Sequence, residues 1–312
     1  MQMAKHDYVA IARQYAKDVV AGKILTCKWV QRACERQLAD LNRFKGKDSP
    51  YRFNPKLTTK DGRAFHPADN LCAFIERLPH VKGPLAGEPI HLEPWQAFIL
   101  TTVFGWVKPN GTRRFRRSYI EVPRGNAKST LSSAVALYML AADGEHGAEV
   151  YSGATSEDQA KEVFTPARLM VERMPDFRAR FGITSRANSI SIIDTNSKFE
   201  PVIGKPGDGA SPSCAIVDEY HEHKTSELYD TMQTGMGARS QALMLVITTA
   251  GSDRSVTLRH DLGRRAISRL DDDEAAGGRA FIGGEGACGL QRSAQAFQIL
   301  QVIGTHLHAE VH

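Results

Sequence analysis

The feature that constrains the fold of this chain most is a loop between a strand pattern and a helix pattern. The strand pattern covers 118–122, the helix pattern begins at Ser129, and the loop between them reads Pro-Arg-Gly-Asn-Ala-Lys. The backbone N–H groups of such a loop and the positive end of the helix face one point, which suits the oxygens of a phosphate. Lys128 would reach the terminal phosphates of a triphosphate, and the Ser129 hydroxyl would face Mg²⁺. The pattern therefore predicts a nucleotide site with the loop residues Arg124, Gly125, Asn126, Ala127, Lys128, Ser129 and Thr130.

The loop departs from the usual phosphate-binding pattern at two positions. Glycine usually precedes the lysine and also stands five residues earlier, but this chain has Ala127 and Val122 there. Alanine has a small side chain, yet it resists a positive φ angle. Taken alone, the loop is also compatible with a turn that enters an amphipathic helix and leaves Lys128 in solvent.

Alternating strand and helix patterns between residues 115 and 252 predict an α/β fold. The predicted strands are 117–122, 148–152, 189–193, 214–218 and 243–248, and the predicted helices are 128–141, 156–174 and 226–236. Such alternation gives a mostly parallel sheet with helices on both faces, and ligands bind at the carboxyl ends of its strands. Two helices within 7–44 and a polar connection over 45–67 precede this part, and no convincing continuation of the sheet follows it.

Two of the predicted strands end in polar residues at the edge of the sheet where the loop lies. The strand at 214–218 ends in Asp218 and Glu219, and the strand at 243–248 ends in Thr248 and Thr249. Asp218 could hold Mg²⁺, and Glu219 could polarise the water that attacks the terminal phosphate. The two threonines could sense that phosphate and couple hydrolysis to movement. Each strand end alone is also explained by a solvated turn or a hydroxyl cap, but together with the loop they predict nucleotide hydrolysis.

Other polar residues have less specific explanations. Gln96 could hydrogen-bond an adenine or simply be solvated, and Arg124 could neutralise charge on the transferred phosphoryl group or pair with Glu121 or solvent. The basic run 113–117 follows an Asn-Gly hairpin signal, so we expect an exposed turn and edge strand there rather than a contact with nucleic-acid phosphates. His221 and His223 have a spacing that would suit a metal, although a loop beside an active site needs none.

The order of these motifs resembles the ATPase part of tailed-phage terminase large subunits. The resemblance covers roughly 7–270 and rests on the segments 92–96, 121–130, 147–151, 212–221, 225–229, 235–239 and 247–251. It implies a P-loop ATPase of the ASCE type that uses ATP and Mg²⁺ to drive duplex DNA into a preformed capsid. The roles that the resemblance implies are adenine contact for Gln96, phosphate contact for Arg124 and Lys128, Mg²⁺ binding for Ser129 and Asp218, catalysis for Glu219, and coupling for Thr248 and Thr249.

The same resemblance implies the partners and the compartment. They are double-stranded DNA, the terminase small subunit, the portal or capsid, and further copies of the chain, in the cytoplasm of a bacterial host. The composition agrees with this interpretation, since the net charge of +5 permits a polyanionic partner and no apolar run approaches the roughly 20 residues that span a bilayer. The five cysteines include no C-x-x-C pair, so neither a zinc site nor a disulfide framework is predicted.

The domain organisation predicted from these patterns has three parts. An N-terminal helical region and linker covers 1–67, the P-loop ATPase domain covers 68–262, and an atypical tail, disordered or frame-shifted, covers 263–312. The family's second half is a nuclease, and the tail does not resemble it in composition, so we assign no nuclease site and expect a truncated copy. Two alternatives stay open: an inactive prophage remnant that binds nucleotide weakly, and a helicase-like ATPase that acts on other nucleic acid.

Overall fold

The computed structural model describes residues 6–59, 62–203, 209–249 and the strand Arg279–Ile282. The helices are α1 (Tyr8–Val20), α2 (Lys28–Arg43), α3 (Pro67–Ile75), α4 (Pro94–Gly105), α5 (Lys128–Ala141), α6 (Glu157–Glu172), α7 (Pro175–Phe181) and α8 (Glu227–Gly235), with 3₁₀ turns at Tyr220–Glu222 and Met236–Ala238. The strands are β1 (Arg52–Phe53), β2 (Leu57–Thr58), β3 (Ala64–Phe65), β4 (Trp106–Val107), β5 (Arg117–Glu121), β6 (Glu149–Ala154), β7 (Ile183–Ser185), β8 (Ile190–Ile192), β9 (Ser197–Ile203), β10 (Cys214–Asp218), β11 (Leu243–Thr248) and β12 (Arg279–Ile282). Among the described helices, none is both long and apolar enough to cross a membrane.

The central sheet has eight strands in the order β12-β5-β11-β10-β6-β9-β8-β7. All pairings from β12 to β9 are parallel, and only β8 and β7 run antiparallel to their neighbours. The predicted α/β class with a mostly parallel sheet is therefore confirmed. The sheet departs from the prediction in several details: β7 and β9 were not predicted, β8 is antiparallel, and β12 continues the sheet within the tail, where no continuation was expected. The remainder of that tail lies outside the described residues.

Both faces of the sheet are buried, because alternate residues of its central strands enter two different cores. In β10, Cys214 and Ile216 contact the core that includes α5 and α6, whereas Ala215 and Val217 contact the core that includes α8. Side chains of a strand point alternately to opposite faces, so a strand covered by helices on both sides must be apolar throughout. This explains why the motif-bearing strands read as continuous apolar runs.

The strand β9 was not predicted, and its sequence explains why. It contains Pro201 and the charged residues Lys198 and Glu200, which are unusual in an inner strand. β9 pairs with β6 from Lys198 to Ile203, but its pairing with β8 ends at Phe199. Pro201 therefore lies where β9 has only one neighbour, and its missing N–H group costs no hydrogen bond on the other side.

The N-terminal helices pack against the part of the chain that contains the central sheet rather than standing apart from it. α1 and α3 both contact α4, and the buried residues of these helices join the core beneath the sheet. The side chain of Asp7 accepts a hydrogen bond from the Ala10 N–H at 2.8 Å and so caps α1. The domain boundary predicted at residue 67 remains a prediction.

The basic run at 113–117 is not the exposed edge that its sequence indicated. β5 lies between β12 and β11, and Arg113 and Arg114 are almost completely buried. Arg114 pairs with Asp40 of α2 at 2.8 Å, and Arg113 pairs with Asp143. Four aromatic rings surround the Arg114 guanidinium at 4.3 to 5.4 Å, those of Phe44, Tyr51, Trp106 and Phe115. These two arginines consequently stabilise the interior, and the prediction of an exposed turn and edge strand is wrong for them, as is a contact with nucleic acid.

Candidate nucleotide site

The predicted phosphate loop connects β5 to α5, and its backbone is bent sharply. Gly125 and Ala127 both have positive φ angles, 84° and 53°. The Asn126 side-chain amide donates to the carbonyl oxygen of Pro123 at 3.1 Å, which holds the loop in a closed turn. The N–H of Val122 donates to the carbonyl of Thr248 at 3.1 Å, so the base of the loop is anchored on β11.

Ala127 adopts the conformation that glycine usually provides at this place. Its φ and ψ angles of 53° and 26° are left-handed, and it is the N-cap residue of α5. A left-handed residue with a Cβ atom is strained by about 1–2 kcal/mol. The substitution of alanine for glycine therefore preserves the path of the loop at a cost in stability.

The structure brings Lys128 to the acidic pair across the end of β11. Lys128 is buried, and its Nζ lies 3.3 Å from Glu219 Oε1 and 3.5 Å from the carbonyl oxygen of Val122. β5 and β10 flank β11 in the sheet, so the loop after β5 and the residues after β10 meet at the same edge. An ammonium group, a carboxylate and the N-terminus of α5 thus face one point.

Asp218 and Glu219 have opposite pKa shifts. Burial, together with the charge of Glu219, raises the pKa of Asp218 to about 6. Burial also acts to raise the pKa of Glu219, but the His221 hydrogen bond, the Lys128 charge and the Thr249 N–H together lower it to about 2. Glu219 is therefore ionised at neutral pH with its charge compensated, whereas the Lys128 charge does not offset the effects of burial and of Glu219 on the pKa of Asp218.

The residues predicted to hold Mg²⁺ fit such an ion chemically. Asp218 is buried with a raised pKa, so a cation beside it would favour its ionised form. Ser129 lies in the first turn of α5, and within the described ranges its hydroxyl forms no hydrogen bond. A carboxylate and a hydroxyl oxygen are ligands that Mg²⁺ accepts.

The threonines at the end of β11 contact Glu219 directly. The Thr249 hydroxyl donates to Glu219 Oε2 at 3.2 Å, and the Thr249 N–H lies 3.3 Å from the same oxygen. The Thr248 hydroxyl is 2.9 Å from Nδ1 of His221. The two elements that the sequence indicated separately, the acidic pair and the Thr-Thr strand end, are therefore one hydrogen-bonded unit.

The two histidines after the acidic pair serve as hydrogen-bond partners. His221 Nδ1 lies 3.3 Å from Glu219 Oε2, and His223 Nε2 lies 3.1 Å from the carbonyl oxygen of Asp218. Their sequence spacing suggested only a metal site, and the contact of His221 with Glu219 was not predicted. The signal in the sequence is the position of His221, three residues after Asp218. The 3₁₀ turn Tyr220–Glu222 folds the chain back, so a residue at this position lies near the strand ends.

Three other predicted residues have different surroundings. Gln96 is buried, and its side-chain oxygen accepts from the Glu93 N–H at 3.0 Å in a capping box at the start of α4, so the solvated alternative is wrong. Arg124 is exposed and forms no ion pair in the part of the chain that the structure describes, so it does not pair with Glu121. Thr130 is half-buried in the first turn of α5. Their nucleotide contacts remain predictions.

Comparison with known proteins places this arrangement in a family. The model of the family described as "Terminase large subunit, ATPase domain" matches residues 94–264, more than half of the chain. The matched segment contains the loop, the acidic pair and the Thr-Thr strand end.

Two curated relatives and one solved structure resemble the chain over parts of their length. The large terminase subunit of Enterobacteria phage HK97 is 28% identical over 191 residues, which is 59% of this chain and 37% of that protein. Protein YmfN of Escherichia coli K12 is 50% identical over 70 residues, 22% of this chain and 15% of that protein. The crystal structure of the HK97 large terminase superimposes with a TM-score of 0.57 and 24% identity, over 74% of this chain and 50% of the other. The chain thus spans half or less of the length of each.

Proposed function

Because the chain belongs to the family of terminase large-subunit ATPase domains, we propose that it binds and hydrolyses ATP and that hydrolysis drives duplex DNA into a capsid. The observation that carries the proposal is the 3.3 Å approach of Lys128 to Glu219, beneath the loop and the N-terminus of α5. In this arrangement a cation, a carboxylate and backbone N–H donors lie together at the edge of the sheet where ligands of such folds bind.

The loop and the first turn of α5 would hold the triphosphate. Backbone N–H groups of Gly125, Asn126 and Ala127 would face the phosphate oxygens, and Lys128 would pair with the terminal phosphates. Arg124, exposed beside them, would neutralise charge that develops on the transferred phosphoryl group. Ser129 and Asp218 would hold Mg²⁺, which when bound supplies charge neutralisation on the phosphate oxygens.

Glu219 would orient and polarise the attacking water. Thr249 holds one oxygen of its carboxylate, and Lys128 contacts the other. The Lys128 charge is one cause of the low pKa of Glu219. A bound phosphate would compete with Glu219 for the Lys128 ammonium, which would leave the carboxylate freer to accept a proton from the water.

The contacts around Thr248 and Thr249 support the proposed coupling role. Both threonines contact the unit that contains Glu219, so a change of charge at the terminal phosphate would alter the end of β11.

We propose duplex DNA, the small subunit, the portal or capsid, and further copies of the chain as partners in the cytoplasm of the host. Gln96 and Thr130 complete the proposed nucleotide contacts.

Steady-state ATP hydrolysis with duplex and with single-stranded DNA tests the proposal. We expect turnover that duplex DNA stimulates, and a decrease of about 10²- to 10⁴-fold in kcat for Glu219→Gln. This variant should still bind a non-hydrolysable ATP analogue, because glutamine keeps the size of the side chain. Stimulation by single strands alone would instead favour a helicase-like ATPase, and weak analogue binding without turnover would favour an inactive remnant.

A further inference from the structure

We propose that His221 is a positioning residue that orients the Glu219 carboxylate for hydrolysis and links it to Thr248. The inference rests on the proposed ATPase function and adds a residue that the loop, the acidic pair and the Thr-Thr motif do not include. Its basis is the set of hydrogen-bond contacts that the His221 ring makes with Glu219 and Thr248.

The Thr248 hydroxyl determines which ring nitrogen of His221 carries a proton. Thr248 Oγ1 lies 3.0 Å from the carbonyl oxygen of Thr249, to which it donates its single proton. The same oxygen accepts from the His221 backbone N–H at 3.2 Å and lies 2.9 Å from His221 Nδ1. When the hydroxyl donates to this carbonyl, Thr248 Oγ1 accepts from Nδ1, and Nδ1 then carries the hydrogen.

Glu219 requires the same assignment independently. Its Oε2 lies 3.3 Å from Nδ1, and this carboxylate, which pairs with the Lys128 ammonium through Oε1, can only accept. Nδ1–H thus faces an oxygen of the catalytic glutamate and the hydroxyl of the last residue of β11, with Thr249 Oγ1 farther away at 3.4 Å. The ring is only 14% exposed, so water competes little for this hydrogen.

The backbone of Glu219 explains why its side chain needs such support. Glu219 has a left-handed backbone with φ and ψ of 43° and 48°, a strained conformation for a residue with a long side chain. Lys128 contacts Oε1, and Thr249 and His221 contact Oε2. When Lys128 pairs with phosphate, the contacts on Oε2 alone keep the carboxylate directed at the pocket.

Three substitutions and one spectroscopic measurement test this inference. We expect His221→Ala to lower kcat about 10- to 100-fold, as the loss of a hydrogen bond to a charged group does, with KM for ATP changed less than about threefold. His221→Asn should restore kcat to within about fivefold of the parent, because the asparagine amide places an N–H donor where Nδ1 lies. Glu222→Gln serves as the matched control, since Glu222 faces Nε2 at 3.7 Å and its change should alter kcat less than about twofold.

NMR of ¹⁵N-histidine-labelled protein measures directly whether each ring nitrogen carries a proton. The His221 signals are identified as those that are missing from the spectrum of His221→Asn. A proton on Nδ1 supports the inference, and an unprotonated Nδ1 overturns it. Full activity of His221→Ala, or an Asn variant as defective as the Ala variant, also overturns it. If the parent protein shows no ATP turnover, the proposed function fails, but the protonation of Nδ1 still decides whether His221 holds Glu219.

Discussion

Ala127→Gly should stabilise this protein, although alanine-to-glycine changes in helices normally destabilise. Ala127 has left-handed angles and is exposed, so the loss of its methyl group leaves no cavity. The left-handed conformation costs a residue with a Cβ about 1–2 kcal/mol, which glycine avoids. Glycine in turn adds about 0.4–1 kcal/mol of conformational freedom to the unfolded chain. The expected net gain in the free energy of unfolding is therefore about 0.5–1 kcal/mol.

Ala39→Gly provides the matched control for this prediction. Ala39 is exposed within α2 and has ordinary helical geometry, so the same chemical change should lower stability by about 1 kcal/mol. Urea unfolding of the two variants, extrapolated to water, compares them directly. If both variants lose stability by similar amounts, Ala127 is not left-handed in the protein, and the assignment of the loop as a phosphate cradle loses its geometric basis.

Two further predictions concern stability. Asp218→Asn should raise the free energy of unfolding at pH 8 by up to about 3 kcal/mol, because the buried carboxylate has a pKa of about 6 against an ordinary 3.8 and is charged there. The folded state binds the proton more tightly, so this gain should vanish below about pH 4, and equal effects of the substitution at both pH values would refute the raised pKa. Gly235→Ala should destabilise by about 1–3 kcal/mol, since a Cβ there would meet the Ala210 carbonyl oxygen at 2.5 Å. Gly237→Ala has open space around its Cβ and should change stability by less than about 1 kcal/mol; thermal unfolding of both variants measures the difference.

The sequence was sufficient to predict the parts of the fold that are locally periodic. Helix α5 has the predicted bounds, and β10 and β11 were recognised because a strand buried on both faces is apolar at every position. The carboxyl ends of parallel strands share one edge, so the loop, the acidic pair and the threonines could be grouped from the sequence alone. That grouping depends only on topology.

The remaining features depend on contacts between residues far apart in the chain. Arg114 and Asp40 are 74 residues apart, and Arg113 and Asp143 are 30 apart, so a run of arginines gave no sign that its charges would be buried. Pro201 is unusual within a strand, and the sequence does not show that the pairing of β9 with β8 ends before it. The contact of His221 with Glu219 was not predicted because it depends on the 3₁₀ turn Tyr220–Glu222. The sequence spacing of the histidines does not by itself specify that backbone geometry.

The binding of a magnesium complex of a non-hydrolysable ATP analogue, measured by calorimetry, tests the central claim most directly. The parent chain and Lys128→Met should be compared, because methionine keeps the apolar stem and removes only the ammonium group that contacts Glu219. We expect the parent to bind only when Mg²⁺ is present and the variant to bind at least about tenfold more weakly, as the loss of a charge-assisted hydrogen bond requires. Equal affinity of the two proteins would show that the triphosphate is held elsewhere and would contradict the account.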